Sequence, residues 1–249
     1  MNRSPRSFLT PVLAGLAVAG LAVAAEGCAS SSSGGTSPAP TVASAGNPPI
    51  LTSTGKAVPA PLEELEAQSE DIIDIVPGGA WDDVAADVQK VDDAWGQYQA
   101  EAADDGAPAT ISAGIATSIA ALDLAAGAKQ PTETMQAAND LSAGVVELYG
   151  LYEIGRPVGI GRLDVIGRQI VFDADAKDKA GVEAQLGKAR SEWSVIEADL
   201  AGRDGQEVTD RANGLLDALA EQAAAGDFGA VATDARDFLE VVDAMEQLY

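Results

Sequence analysis

The sequence contains no histidine, and its single cysteine is Cys28. Without histidine, the chain cannot form a Ser-His-Asp triad, a histidine-ligated zinc site or a histidine-ligated haem. With one cysteine it cannot form an intrachain disulfide, so the fold must depend on its hydrophobic core. No spacing of carboxylates indicates a paired acid and base. We therefore expect no catalytic residues, no metal site, no cofactor and no enzymatic activity.

Basic residues are also scarce. From Cys28 onward the chain carries 13 basic and 38 acidic residues, a formal net charge of −25. Such a surface repels nucleic acids and anionic lipid headgroups, which excludes nucleic acid as a partner. The remaining candidates are a protein partner or a small ligand, neither of which the composition identifies.

The first residues have the layout of a bacterial export signal. Arg3 and Arg6 precede an uncharged apolar run, Phe8–Ala25. Pro11 and Gly15 interrupt this run and no basic stop signal follows, which favours a cleaved signal over a membrane-spanning helix. The protein is therefore expected outside the cytoplasm.

The segment Ala25-Glu26-Gly27-Cys28 follows the apolar run directly. It resembles the lipobox of bacterial lipoproteins, where a small residue precedes the cysteine. The resemblance implies that Cys28 is diacylated, becomes the mature N-terminus, and anchors the protein to the lipid bilayer on the extracytoplasmic face of the cell membrane. The alternative is cleavage after Ala22-Val23-Ala24, which would release a secreted protein.

Composition divides the chain into four segments. Residues 1–27 are the predicted signal peptide, and residues 28–61 are the lipidated cysteine with a linker rich in Ser, Gly, Pro, Ala and Thr. Such a linker lacks the apolar content of a core, so a disordered tether is expected. Two helical repeats are predicted to follow, at residues 62–154 and 155–249.

The evidence for the repeats is an internal similarity at an offset of about 98 residues. The offset maps Val84 onto Val182 and Trp95 onto Trp193, within two stripes of apolar residues spaced three and four apart. That spacing is typical of amphipathic helices. We predict an all-α fold built by tandem duplication of a four-helix unit, about eight antiparallel helices in total. The predicted helices are 62–76, 80–103, 110–127, 132–154, 158–174, 178–201, 206–224 and 228–248.

Two groups of residues are candidates for a ligand site or a contact between the repeats. Trp95 and Trp193 could line a pocket between the repeats, although their stripe spacing favours core positions. Arg162, Asp164 and Arg168 lie in the segment that joins the repeats, where they could form ion pairs between them or hold an anion.

Two functions remain open. The first is a membrane-anchored, non-catalytic helical module for binding or interaction. The alternative is a lipoprotein that captures a solute or cation for a transporter. A buried polar pocket between the repeats would favour solute capture, whereas an exposed apolar patch would favour a protein partner.

Overall fold

The computed structural model describes residues 51–249. The predicted signal peptide, Cys28 and the first part of the predicted linker lie outside these described residues. Between residues 51 and 249 the chain forms eight α-helices and no strand, so the predicted all-α fold is confirmed. The helices are α1 Ala60–Ile75, α2 Trp81–Asp104, α3 Ala109–Gly127, α4 Pro131–Tyr149, α5 Val158–Asp175, α6 Lys179–Ala201, α7 Gln206–Ala225 and α8 Phe228–Glu246.

Local chemistry explains where several helices begin and end. The Asp178 carboxylate accepts hydrogen bonds from the backbone amides of Ala180 and Gly181 and so caps α6. Asp227 caps α8 in the same way through the amide of Ala230. Gly226 ends α7 with a φ of 74°, a left-handed conformation that glycine adopts without a steric penalty.

The first four helices form one bundle, in which α1 and α3 each pack against both α2 and α4. Short connections make sequential helices antiparallel. Large apolar side chains from all four helices fill the core of this first bundle. They include Leu62, Leu65, Ile72, Val84, Val91, Tyr98, Ile115, Leu122, Leu141 and Leu148.

The last four helices form a second bundle with the same arrangement, since α5 and α7 each pack against both α6 and α8. Its separate core includes Ile160, Leu163, Ile170, Leu186, Trp193, Leu216, Leu219, Phe238 and Met245. Contacts between α4 and α5 join the two bundles. The duplication inferred from the sequence stays a prediction.

Residues 51–59, here called the strap, differ from the expectation of a disordered tether. The amide and hydroxyl of Thr54 both donate to the Leu151 carbonyl, at 2.7 and 2.8 Å. The amide of Glu153 donates to the Lys56 carbonyl at 2.8 Å. Leu51 packs against the first core. The strap therefore packs on the first bundle, because Thr54 and Lys56 pair with its backbone and Leu51 and Val58 are partly buried against its core.

The strap also explains why α4 ends at Tyr149 and not at residue 154 as predicted. Leu151 and Tyr152 are buried at 2% and 4% exposure, but the carbonyl of Leu151 bonds to the strap instead of continuing the helix. The Tyr152 hydroxyl bonds to that of Tyr98 at 2.9 Å and donates to Asp105 at 3.0 Å. These tertiary contacts compete with helical pairing over this segment.

A close approach of α3 to α4 depends on Gly144. A Cβ at this position would lie 2.6 Å from Cγ1 of Ile115, a β-branched side chain with little rotamer freedom. We expect Gly144→Ala to lower the free energy of unfolding by about 1–3 kcal/mol through overpacking. Urea denaturation followed by circular dichroism measures this.

Gly114 provides the matched control, because a Cβ there would meet nothing within 4 Å. Gly114→Ala should raise stability by about 0.5–1 kcal/mol, since alanine favours a helix more than glycine does. In an Ile115→Ala background, which removes the contacted Cγ1, Gly144→Ala should cost less stability than it does in the wild type. A Gly144→Ala protein as stable as the wild type would contradict the packing.

Candidate functional site

The helix α5 carries the basic side chains that connect the bundles. Arg162 donates from Nε and Nη2 to the two carboxylate oxygens of Glu147 on α4, each at 2.8 Å. Its Nη1 lies 3.5 Å from Glu192 on α6. A bidentate arginine–carboxylate pair has a defined geometry, so Arg162 sets the position of α5 relative to α4.

Arg168 lies two turns further along α5 and connects it to α1. It donates to Glu70 of α1 at 2.7 Å and also pairs with Asp164, four residues earlier on α5. Both side chains of this α5 pair are largely buried, with 14% and 16% exposure for Arg168 and Asp164. The two charges are therefore held in a partly dehydrated environment between the bundles.

Burial raises the pKa of Asp164 to about 7, because removal from water outweighs the opposing effect of Arg168. The nearby carboxylates of Glu70, Asp243 and Glu66 contribute to this rise in the pKa of Asp164. The Asp164 carboxyl thus titrates near neutral pH.

A third arginine completes the set of ion pairs between the two bundles. We call this region of contact the junction. Arg156, in the connection between α4 and α5, pairs with Glu246 of α8 and lies 3.9 Å from Glu66 of α1. Tyr149 donates its hydroxyl to Glu66. Burial raises the pKa of Glu66, and its effect exceeds the opposing hydrogen bond from Tyr149.

Neutral amides continue the junction along α4 and α5. Gln136 and Gln169 exchange two hydrogen bonds, at 2.8 and 3.1 Å. Asn139 donates to the Val165 carbonyl at 3.2 Å. Most polar groups of the junction thus bond to one another, which is the arrangement of a structural contact. Two buried atoms, Oδ1 of Asn139 and Nη1 of Arg168, have no hydrogen-bond partner within residues 51–249.

The structure places Arg162, Asp164 and Arg168 together at this junction but places the tryptophans elsewhere. Trp193 lies in the second core at 4% exposure, and its Nε1 donates to Asn213 at 2.8 Å. Trp95 is half-buried at the edge of the first core, with its ring tilted against Tyr98. The two rings belong to different cores, so they do not line a common pocket.

An open cleft of about 550 Å³ lies at one end of the junction. The connection 150–158 forms one side, and Asp199, Arg203 and Tyr249 form another. Arg203 lies 4.0 Å from the centre of the Tyr249 ring and donates to Asp199 at 3.2 Å. Arg203 and Asp199 thus neutralise each other, and the lining also includes one further residue of each charge, Glu153 and Arg156.

The described residues offer no metal site, since no three His, Cys, Asp or Glu side chains converge among them. The sequence also contains three adjacent acidic pairs, Asp82-Asp83, Asp92-Asp93 and Asp104-Asp105, and none of them belongs to such a metal-binding group within residues 51–249. Asp105 instead pairs with Lys56 of the strap, and this hydrogen bond lowers the pKa of Asp105.

A second unusual feature is the outer face of α3. The structure exposes eleven of its residues, and Asp123 carries the only charge among them. The exposed set is Ala109, Thr110, Ala113, Gly114, Ala116, Thr117, Ala120, Ala121, Asp123, Leu124 and Gly127. We call this set the α3 face. Across the described residues, only Leu124 and Val195 are large apolar side chains that stand exposed, at 76% and 78%.

Between residues 51 and 249, α3 is the one helix with the length and hydropathy of a membrane span. It is nonetheless part of the first bundle, because Ile115, Ile119 and Leu122 are buried in the core. The exposure of the α3 face was not predicted from the sequence. The signal that could have found it is the absence of charge from residue 107 to residue 122.

The comparisons with known proteins add no identification: no family model matches the sequence, and no curated protein or solved structure is significantly similar to it. Function must therefore be inferred from the junction and the α3 face themselves.

The raised pKa of Asp164 predicts a pH-dependent stability. A carboxyl that binds its proton more tightly in the folded protein stabilises it at low pH, and this stability is lost as pH rises from about 4 to about 7. For one proton the slope is at most about 1.4 kcal/mol per pH unit. Because Asp164→Asn keeps a neutral side chain, it should flatten the slope between pH 5 and 7.

Urea denaturation at several pH values measures the slope. Asp237→Asn, which removes an exposed carboxyl on α8, is the control and should leave it unchanged. An Asp164→Asn protein with the wild-type slope would show that Asp164 does not titrate in this range.

Proposed function

We propose that this protein is a non-catalytic helical interaction module, anchored to the extracytoplasmic face of a cell membrane through diacylated Cys28. The observation that carries the proposal is the exposed, almost uncharged α3 face. Monomeric proteins rarely expose large contiguous apolar patches, and such patches mark surfaces that bind other molecules. The lipobox-like segment ending at Cys28 supports the membrane location.

The ion pairs of the junction also support a non-catalytic interaction module. Arg162, Arg168 and Arg156 are each paired with carboxylates, so they hold the two bundles together instead of presenting free charges to a ligand. Held together by these ion pairs, the two bundles would present the α3 face in a constant orientation.

Solute or cation capture for a transporter is the second candidate. The observation in its favour is the presence of a cleft lined in part by residues 150–158. However, Arg203 of the cleft pairs with Asp199, and the cleft opens widely to solvent, whereas ligand pockets bury most of a small ligand. We therefore rank it below the interaction module.

The test is site-specific photo-crosslinking of the full chain in its native membrane. A photoreactive amino acid at Leu124 should give a protein adduct in the membrane fraction, and one at Val195 should not. Val195 is the matched control, because it is equally exposed but lies on α6 of the second bundle. Absence of adducts at Leu124 would contradict the proposed interaction surface.

The same experiment tests the anchor when it is repeated with Cys28→Ser. Loss of two acyl chains should move the protein from the membrane to the soluble fraction, since each buried methylene contributes about 0.8 kcal/mol. A Cys28→Ser protein that is processed and retained like the wild type would refute lipid anchoring. If a photoreactive residue in the cleft crosslinks to a transporter subunit and one at Leu124 does not, solute or cation capture is favoured.

A further inference from the structure

The lack of charge on the α3 face is not required by the bundle. In the second bundle α7 takes the corresponding place, third in order and packed against its second and fourth helices. The exposed side of α7 carries five charged residues, Glu207, Asp210, Arg211, Asp217 and Glu221. The α3 face carries one, Asp123. A helix in this position can therefore have a fully solvated outer face, and α3 does not.

The side chains of the α3 face suit close contact with another helix. Ala113, Thr117, Ala120 and Leu124 follow a four-three-four spacing, which places them in one stripe. The Thr117 hydroxyl donates to the Ala113 carbonyl at 2.8 Å, so its hydrogen-bonding need is met within α3. Small side chains allow helix backbones to approach, and Leu124 adds a single large apolar contact.

The surroundings of this stripe are strongly acidic. Between residues 60 and 149 the sequence has 18 acidic and two basic residues, a net charge of −16. Asp92 of α2 lies close enough to Asp123 of α3 for the two carboxylates to repel each other, and Asp93 is its neighbour on α2. Burial raises the pKa of Asp92, and the carboxylates of Asp123 and Asp93 raise it further. None of the three forms an ion pair with another residue in the described range 51–249.

The negative charge of the first bundle limits which kinds of molecule can bind to the α3 face. A second copy of the chain would bring its own acidic bundle against this one, and like charges in contact are unfavourable. An anionic membrane surface would be repelled for the same reason. A lysine or arginine beside these residues would instead relieve the repulsion that Asp123 and Asp93 exert on Asp92.

The proposed interaction function is the basis of this inference. We propose that the α3 face binds a helical segment of a partner protein, whose apolar side packs on Ala113, Thr117, Ala120 and Leu124 and whose basic flank pairs with Asp92, Asp93 and Asp123.

A designed peptide tests the charge requirement directly. The probe is a labelled helix of about 20 residues, matching α3 in length, with alanine and leucine on one side and lysine along the flank. A peptide with glutamate in place of lysine is its control. The full chain is held in a nanodisc of neutral lipid, and fluorescence anisotropy measures Kd. The lysine peptide should bind at least about tenfold more tightly.

Variants of the protein locate the binding. Asp92→Asn, Asp93→Asn and Asp123→Asn combined should weaken lysine-peptide binding by about tenfold and reduce its salt dependence. The matched control, Glu207→Gln, Asp210→Asn and Glu221→Gln combined, removes the same charge from α7 and should leave Kd unchanged. Leu124→Ala should weaken binding, whereas Val195→Ala should not.

The outcomes separate this proposal from the one on which it rests. If Leu124 crosslinks to a partner protein but Kd does not depend on lysine or on the three aspartates, the basic partner is refuted and the interaction module stands. Adducts at Leu124 to lipid alone, or to a second copy of the chain, overturn the basic partner as well. If Leu124 gives no adduct and the peptide does not bind, both proposals fall.

Discussion

Replacing Trp193 with alanine should lower the free energy of unfolding by about 3–5 kcal/mol. The ring is 4% exposed in the second core, and its Nε1 donates to Asn213, which in turn donates to Glu197 at 2.8 Å. Truncation would leave a large cavity and an amide oxygen without its donor. Both effects lower stability, because packing contacts and a buried hydrogen bond are lost together.

Trp95→Ala is the matched comparison, since Trp95 occupies the corresponding stripe position but is half-buried. Its loss should be smaller, roughly 1–2 kcal/mol, in proportion to the apolar area removed from the core. Urea denaturation followed by far-ultraviolet circular dichroism measures both variants. Equal losses for the two variants would contradict their different burial, and an unchanged melting temperature for Trp193→Ala would refute its place in the core.

Replacing Arg168 with methionine should be equally severe, with a loss of about 3–5 kcal/mol at pH 8. The variant keeps much of the side-chain volume but leaves Asp164 and Glu70 without their cation at the junction. The loss should be smaller at pH 5, because Asp164, with a pKa of about 7, is then protonated and needs no counterion.

A second substitution separates the buried charge from the packing of the arginine stem. In the double variant Arg168→Met, Asp164→Asn, the buried carboxylate of Asp164 is gone and only Glu70 lacks its cation, so part of the stability lost at pH 8 should return. The measurement is urea denaturation of the single and double variants at pH 5 and pH 8. A loss that is the same at both pH values, with no recovery in the double variant, would show that Arg168 acts through packing alone.

The helices were predictable because their pattern is local. The three-four spacing of apolar residues, the aspartates that cap α6 and α8, and Gly226 after α7 place most helix boundaries within two residues of those observed. The end of α4 was not predictable. It depends on the pairing of Leu151 with Thr54, 97 residues away in sequence, and no local pattern encodes that bond.

For the candidate site residues, too, the sequence indicated some features and only the structure revealed the others. The unusual content of arginine around Arg162 and Arg168 was visible in the sequence, but their partners were not. Glu70 is one of many acidic residues, and only the packing of α5 near α1 selects it. The tryptophans share a stripe position, yet the sequence could not show that Trp193 is fully covered and Trp95 is not.

The sequence by itself determined that the protein is helical, acidic, without histidine or a disulfide, and preceded by a segment that resembles a lipoprotein signal. These properties follow from composition and from the periodicity of side chains along one helix. Only the tertiary structure decided which face of α3 is exposed, because α3 is apolar on nearly all sides and either face could have entered the core. It also decided which carboxylates meet the arginines, since such pairs depend on helices that are distant in sequence.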